Sequence, residues 1–295
     1  MRTACPRCKK TSNPYFRVGD TNRKITKECF DYYRCSSCRL IFLSPIPDDL
    51  GKYYPNDYYP IPSSKDEIAR FAEYERYKID IVKKFASGGK LLEIGPAYGS
   101  FIYLAKEAGF DAEAIEMDSN CCKFISESIG ARVICSNDPY EALQKVANYD
   151  VITLWHVIEH LPDPWKTLEA IAKKLQPGGI LLIAAPNPEA FQFRILGRFW
   201  PHVDAPRHLN LIPLSLLGEQ MRSCGLKTVW STTTDKGTLG WNIFGWEHFF
   251  AHISDLRYVK TGLVFIGKIV NIILGPIERR NTRGSAYTAV FQKEK

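Results

Sequence analysis

The sequence predicts an α/β protein: a doubly wound, mainly parallel sheet whose last strand is antiparallel, preceded by a small four-cysteine ribbon. Three observations predict it. Residues 90–102, KLLEIGPAYGSFI, read as an apolar strand, an acid, and two glycines four apart opening a helix. From there to about residue 234, short apolar runs alternate with helical segments, the pattern of strands joined by crossover helices. Ahead of them stand two CxxC pairs, Cys5/Cys8 and Cys35/Cys38.

The 295 residues leave room for one α/β domain of about 200 residues plus appendages. An apolar content of 45% with 24% charged residues is the composition expected of a soluble globular protein. The net charge of +7 belongs to the first 40 residues, where ten Lys and Arg face only Asp20, Glu28 and Asp31. Each CxxC knuckle puts two thiolates on one tight turn, and two such turns complete a closed, structural Cys₄ Zn²⁺ site at Cys5, Cys8, Cys35 and Cys38. Ordinary reduced cysteines are the alternative. With zinc bound, the segment keeps a charge of about +5. Residues 1–44 then read as a zinc ribbon with short strands near 15–18, 24–26 and 32–34, and Cys29 left to pack. Its basic face has two readings, a solvated surface or a clamp on the phosphates of an acceptor or RNA. Nine cysteines with no apolar signal segment after Met1 predict a reducing, cytoplasmic setting.

Residues 45–89 form a linker and a leading helix. Pro45, Pro47, Pro55, Pro60 and Pro62 are interleaved with Tyr53, Tyr54, Tyr58 and Tyr59. Gly/Ser would make a flexible linker; tyrosines predict a strap lying on the protein, over a ligand cleft. One amphipathic helix is expected over 66–86, ended by Ser87-Gly-Gly.

The domain proper is expected over 90–295, with insertions near 189–210 and 235–280. In its first turn the spacing is G-x-x-x-G, with Glu93 two residues before Gly95. The G-x-G-x-x-G of pyrophosphate sites is not met, and an acid here suits a cationic or amine-bearing ligand. The motif E-x-G-x-x-x-G resembles the first motif of the class I S-adenosylmethionine-dependent methyltransferases. A second strand, 112–115, ends at Glu116-Met117-Asp118. An acid at this point accepts hydrogen bonds from ribose hydroxyls in nucleotide-binding α/β domains, whereas Asp118 reads as a helix cap. Asn137-Asp138, after strand three at 132–135, falls where the family contacts the adenine amino group, although both are also turn and cap residues. Strand four, 149–154, runs into Trp155-His156-Val-Ile-Glu159-His160, and Gln176-Pro-Gly-Gly179 leads into strand 180–185; D-V-I-x-x-x-H-V-I-E-H followed by L-x-P-G-G-x-L-L-I is similar to the same family. The resemblance implies a Rossmann-like methyltransferase sheet and S-adenosylmethionine as cofactor. It also implies cofactor contacts from Glu93, Gly95, Pro96, Ala97 and Gly99 in the first turn, Glu116 and Met117 after strand two, and Asn137, Asp138 and Trp155 beyond.

His156-x-x-Glu159-His160 also spells H-x-x-E-H, a zinc-hydrolase motif. That chemistry needs both histidines on one uninterrupted helix, which Pro162 and Pro164 prevent. Relatives of the ubiquinone-pathway O-methyltransferase type leave a Mg²⁺ role open for Glu159 and His160, against a packed His160 bonded to a backbone carbonyl. An insert over 191–210 carries Asp204-Ala-Pro-Arg-His208-Leu. With Pro186-Asn187, this resembles the acceptor side of a subgroup acting in sugar, polysaccharide and small-molecule biosynthesis. The [DN]-P-P-[YF] signature of nucleic-acid amino-methyltransferases is absent. Towards the carboxyl end come Trp241, Phe244, Trp246, Phe249 and Phe250, then an almost wholly apolar run over 262–277, expected as core or acceptor wall, with membrane-surface contact as the alternative. A last antiparallel strand is expected over 285–293.

The reaction expected is direct methyl transfer to a small-molecule, sugar or glycan/lipid-linked hydroxyl. A base titrating near neutrality favours histidine, in the order His208, His160, His156. Two other readings are an RNA methyltransferase that clamps its substrate with the ribbon and a non-catalytic cofactor-binding scaffold. The setting expected is cytoplasmic, peripheral to a membrane if 262–277 touches one.

Overall fold

The structure, a computed structural model, describes residues 2–55 and 58–294. The ribbon supplies β1 (Thr3–Ala4), β2 (Thr11–Gly19), β3 (Cys29–Cys35) and β4 (Ile41–Leu43), a curled antiparallel sheet. The single helix expected over 66–86 is instead two, α1 (Lys65–Tyr74) and α2 (Arg76–Val82), parted at Glu75. Glu75 accepts an ion pair from Lys78 at 2.8 Å and so keeps that ammonium compensated on the inner side of the bend. Ser64 starts α1 by accepting from the Glu67 amide at 3.2 Å, while Glu67 reaches back to the Ser63 amide at 2.7 Å, a reciprocal cap.

The main sheet begins with β5 (Lys90–Ile94), α3 (Ser100–Glu107), β6 (Asp111–Glu116), α4 (Ser119–Phe124, continued by one wide π turn to Ile129) and β7 (Arg132–Cys135). It continues with α5 (Pro139–Gln144), β8 (Tyr149–Trp155), α6 (Pro164–Lys174), β9 (Leu175–Pro186) and α7 (Phe191–Leu196). The chain closes through β10 (Asn210–Leu211), α8 (Leu214–Ser223), β11 (Leu226–Thr232), α9 (Lys236–Ala251), α10 (Arg257–Glu278) and β12 (Ala286–Lys293).

Seven strands lie in the order β11-β12-β9-β8-β5-β6-β7, and only β12 runs antiparallel to its neighbours, as the sequence predicts for the last strand. Helices cover both faces, so the central strands read as unbroken apolar runs: Leu91, Leu92, Val151, Ile152, Leu181 and Leu182 are all fully buried. Each such side chain contributes about 1.5–3 kcal/mol over an exposed one. From β5 the chain goes outward through β6 and β7, then returns to place β8 on the other side of β5. The crevice beyond the carboxyl ends of β5 and β8 is therefore the switch point where such sheets hold ligands.

Two features were not foreseen. β10 joins the ribbon's sheet rather than the main one, pairing Asn210 with Phe42 and Leu211 with Ile41. And the apolar run over 262–277 is not core: it belongs to a 22-residue helix in which only Gly267, Gly275 and Glu278 are buried. The inward place is taken by α9, whose Trp246 is buried and donates to Glu278 Oε1 at 2.9 Å. At the crossing a Cβ on Gly267 would stand 2.8 Å from Glu247 Cα, so backbones meet over a narrow stripe and the rest of α10 faces outward.

Candidate active site

The first half of the site is the loop from β5 to α3. Its turn needs left-handed backbone at Gly95 (φ +71°), Ala97 (+52°) and Gly99 (+87°). Space restricts it as well, since a Cβ at Gly95 would come within 2.6 Å of Val157 Cγ2 and one at Gly99 within 2.8 Å of Ile129 Cδ1. Pro96 accepts the bond from the Gly99 amide that closes the turn, at 2.9 Å. Glu116, at the end of β6, locks the loop: one oxygen accepts from the Ala97 amide at 2.9 Å and the other from the Met117 and Asp118 amides at 2.8 Å each. Three of a carboxylate's roughly four acceptor directions are thus filled from the protein. Met117 beside it is half exposed.

Glu93 lies beneath the loop, buried, with Oε2 lacking a partner among the described residues. Burial pushes its pKa up to about 8, against the opposing pull of Lys78. Asn137 is exposed, and Asp138 caps α5 by accepting from the Tyr140 and Glu141 amides. Trp155 is buried against Phe101, ring centroids 5.6 Å apart, with Lys78 over its ring.

The second half gathers residues from five parts of the chain. After β8, His156 takes a left-handed conformation (φ +58°) and residues 158–160 make one 3₁₀ turn, so the helix an H-x-x-E-H hydrolase needs does not form. This turn drives Glu159 inward. Its side chain is 1% exposed and neither oxygen finds a hydrogen-bond partner among the described residues. His156 Nδ1 stands 3.5 Å from Glu159 Oε1, and His208 Nε2 stands 4.0 Å from the same oxygen. Burial alone would raise the Glu159 pKa, but the three surrounding histidines, His156, His160 and His208, outweigh it and hold the carboxyl below its usual range.

Each histidine is oriented differently. His208 Nδ1 lies 2.8 Å from the His202 carbonyl, which can only accept, so Nδ1 carries the proton and Nε2 is the basic nitrogen. His160 Nδ1 meets the Arg207 carbonyl at 3.0 Å and the Tyr54 hydroxyl at 2.9 Å, and burial pushes its pKa down to about 4. His156 packs on Trp241, ring centroids 4.6 Å apart. The tyrosines of the strap lie on the protein: Tyr54 touches His160, the Tyr58 ring packs tilted against Tyr54 with centroids 5.1 Å apart, and Glu116 adds to the upward shift that burial gives Tyr59. Asn56 and Asp57 of the strap lie outside the described residues.

The ribbon braces this half. Arg207, 1% exposed, pairs with Asp20 of the ribbon at 2.8 Å and with Asp204 of the insert at 2.7 Å. Asn22 donates to Asp204 Oδ1 at 2.7 Å, and the Tyr32 hydroxyl donates to the His208 carbonyl at 2.7 Å. Sequence reasoning passed over Asp20, Asn22 and Tyr32, and met Arg207 only inside the Asp204-to-His208 motif, because their mutual contacts exist only once the ribbon docks. Glu159 was visible from sequence as a candidate metal ligand, and its burial follows from an acid standing among apolar residues after a strand, a charge in need of partners.

Among the described residues, two groups of side chains gather as a metal site would. The sulfurs of Cys5, Cys8, Cys35 and Cys38 lie within 4.8 Å of one another, with edges of 3.5, 3.6 and 3.8 Å where they touch. A tetrahedron with Zn–S bonds of about 2.3 Å has edges of about 3.8 Å, so the set fits Zn²⁺. Glu159, His160 and His208 also gather within 4.8 Å. One carboxylate with two imidazoles is a poor donor set for Mg²⁺, which takes oxygen ligands and water, so the Mg²⁺ left open from sequence does not fit.

Residues 66–231 match the family described as "Methyltransferase domain". Among curated proteins, the Ubiquinone biosynthesis O-methyltransferase of Nitrosospira multiformis is 27% identical over 151 residues, 48% of this chain and 63% of the relative. That of Acinetobacter baylyi is 27% identical over 186 residues, 59% of this chain and 76% of the relative. The match thus spans less than two thirds of the first relative's length. A solved SAM-dependent methyltransferase from Archaeoglobus fulgidus superposes with a TM-score of 0.52 at 18% identity, covering 75% of this chain and 94% of that one, and shares the fold.

Proposed function

The chain belongs to the methyltransferase domain family; from that premise we propose that it is an S-adenosylmethionine-dependent enzyme that methylates a hydroxyl oxygen of a small-molecule acceptor, with His208 as general base. The observation that carries this is Glu159, a buried carboxylate with both oxygens unpartnered and His208 beside it. An unpaired buried charge is costly, and it is relieved when its neighbour becomes a cation. His208 Nε2, set between Glu159 at 4.0 Å and Asp204 at 3.9 Å, takes up the acceptor's proton and becomes that cation.

S-adenosylmethionine supplies a methyl group already activated for direct transfer. The protein's part is to bind, align and remove a proton. Glu93, Gly95, Pro96, Ala97, Gly99, Glu116 and Met117 form the cradle, with Asn137, Asp138 and Trp155 at its margins; unpaired Glu93 Oε2 favours the cofactor's amine. His160, held neutral, positions the Arg207 carbonyl and the Tyr54 strap, and His156 positions Glu159. Oxygen as the acceptor atom is brought from the relatives named O-methyltransferases. Trp241, Phe244 and the strap tyrosines favour an acceptor with an apolar body. The Cys₄ set holds a structural Zn²⁺. An RNA clamp finds less support, because ribbon cations are engaged within the chain: Arg17 with Asp31, Lys24 with Asp255, Arg39 with Glu189.

Cell extract incubated with protein and methyl-labelled cofactor, followed by mass spectrometry, should yield a product labelled on oxygen. His208→Ala should lower transfer by about 10²–10⁴-fold while leaving cofactor affinity in place. Full activity in that variant would remove His208 from the mechanism.

A further inference from the structure

The outward face of α10 carries large apolar side chains that the fold leaves uncovered. Phe265, Ile272 and Ile273 are 64%, 73% and 65% exposed, with Ile266 and Ile269 beside them. These positions recur at helical spacing and form one continuous stripe along the helix. Monomeric soluble proteins scatter single apolar residues over their surfaces but seldom line up five on one helix. The stripe ends in cations: exposed Arg257 and Lys260 at the start, Lys268 at its edge, and Arg279 and Arg280 just past the end. The one acid in the helix, Glu278, is fully buried.

We propose that this face docks on an anionic lipid bilayer, with α10 lying flat at the interface. The helix is long and apolar enough to cross a membrane. It cannot do so in this fold, because its inner stripe is packed on α9, with Gly267 against the Glu247 backbone and Glu278 bonded to Trp246. An apolar stripe flanked by Lys and Arg, with the opposite face fixed to the protein, is the pattern of a helix that rests in the headgroup region. A second copy of the chain fits the stripe badly. Helices paired in parallel set Arg257 on Arg257; paired antiparallel, they set Arg257 and Lys260 against Arg279 and Arg280. Neither arrangement offers an exposed carboxylate from α10 to offset the repulsion. Anionic headgroups complement both ends. The inference rests on α10 alone and is independent of the reaction assigned above.

The test is flotation of the full chain with vesicles of phosphatidylcholine, or of phosphatidylcholine with phosphatidylglycerol. Binding to the anionic vesicles is expected, weakened at high salt. It should fall at least about tenfold in Ile272→Asp and severalfold in Lys268→Glu. Both positions are exposed; thermal unfolding of Ile272→Asp should match the wild type, and because Lys268 stands 4.0 Å from Glu247, Lys268→Ala is run beside Lys268→Glu to separate loss of that pair from loss of lipid contact. Failure to float with anionic vesicles overturns the proposal. So does a concentration-dependent dimer in lipid-free solution that Ile272→Asp abolishes, which would assign the stripe to self-association.

Discussion

The cofactor cradle and the acceptor pocket differ in how their parts are spaced along the chain. The cradle's central residues, Glu93 to Glu116, sit on two adjacent strands and one loop, held by backbone bonds and close packing. The acceptor half draws on Asp20, Tyr54, Glu159, His208 and Trp241, which meet only when ribbon, strap, insert and α9 have docked. The cradle can therefore tolerate a change of acceptor, whereas the pocket depends on long-range assembly. Each half should fail in its own way when disturbed.

The largest effect is expected at the joint. Arg207→Ala leaves Asp20 and Asp204 buried without their cation, a loss of about 3–5 kcal/mol. Denaturant unfolding should show it, and a loss below about 1 kcal/mol would mean that ribbon and pocket are not coupled. Next comes the cradle. Gly99→Val adds a branched side chain at φ +87°, where even a Cβ would stand 2.8 Å from Ile129, and should cost about 1–3 kcal/mol and most of the cofactor affinity. Calorimetric titration checks it; unchanged affinity would break the account of the loop.

A smaller effect concerns pH. Burial raises Glu93 to about 8, so the free protein favours its protonated form and loses stability as pH rises from the ordinary carboxyl range towards 8. Cofactor binding, which calls for the carboxylate, should strengthen over the same window, and Glu93→Gln should flatten that rise. The smallest effect is at the exposed pair of Lys24 and Asp255, 2.9 Å apart, where Lys24→Ala should leave the unfolding midpoint unchanged.

The same contrast explains what could be read in advance. The cradle follows from a local pattern, because an acid, a turn with positive φ and a helix start must be contiguous. The Cys₄ set is legible because two knuckles need only their own spacing. Glu159 and the histidines were visible as residue types, but their geometry depends on the left-handed turn at His156 and on the His202 carbonyl, neither of which has a periodic signature. Arg207 was visible only as part of the Asp204-to-His208 motif and its pairing with Asp20 was not, since a buried ion pair between distant segments looks like two surface charges. The apolar run over 262–277 misled for the opposite reason: hydrophobicity marks a surface that avoids water, whether what covers it is protein or lipid.

The division into two halves is tested most directly by titrating S-adenosylmethionine into wild type, Glu116→Ala and His208→Ala, alongside labelled methyl transfer. Wild type should bind one equivalent. Glu116→Ala should lose at least about tenfold in affinity, as the loop it locks loosens. His208→Ala should bind as wild type does and transfer methyl about 10²–10⁴-fold more slowly. Equal loss of cofactor affinity in both variants, or wild-type turnover in His208→Ala, would contradict it.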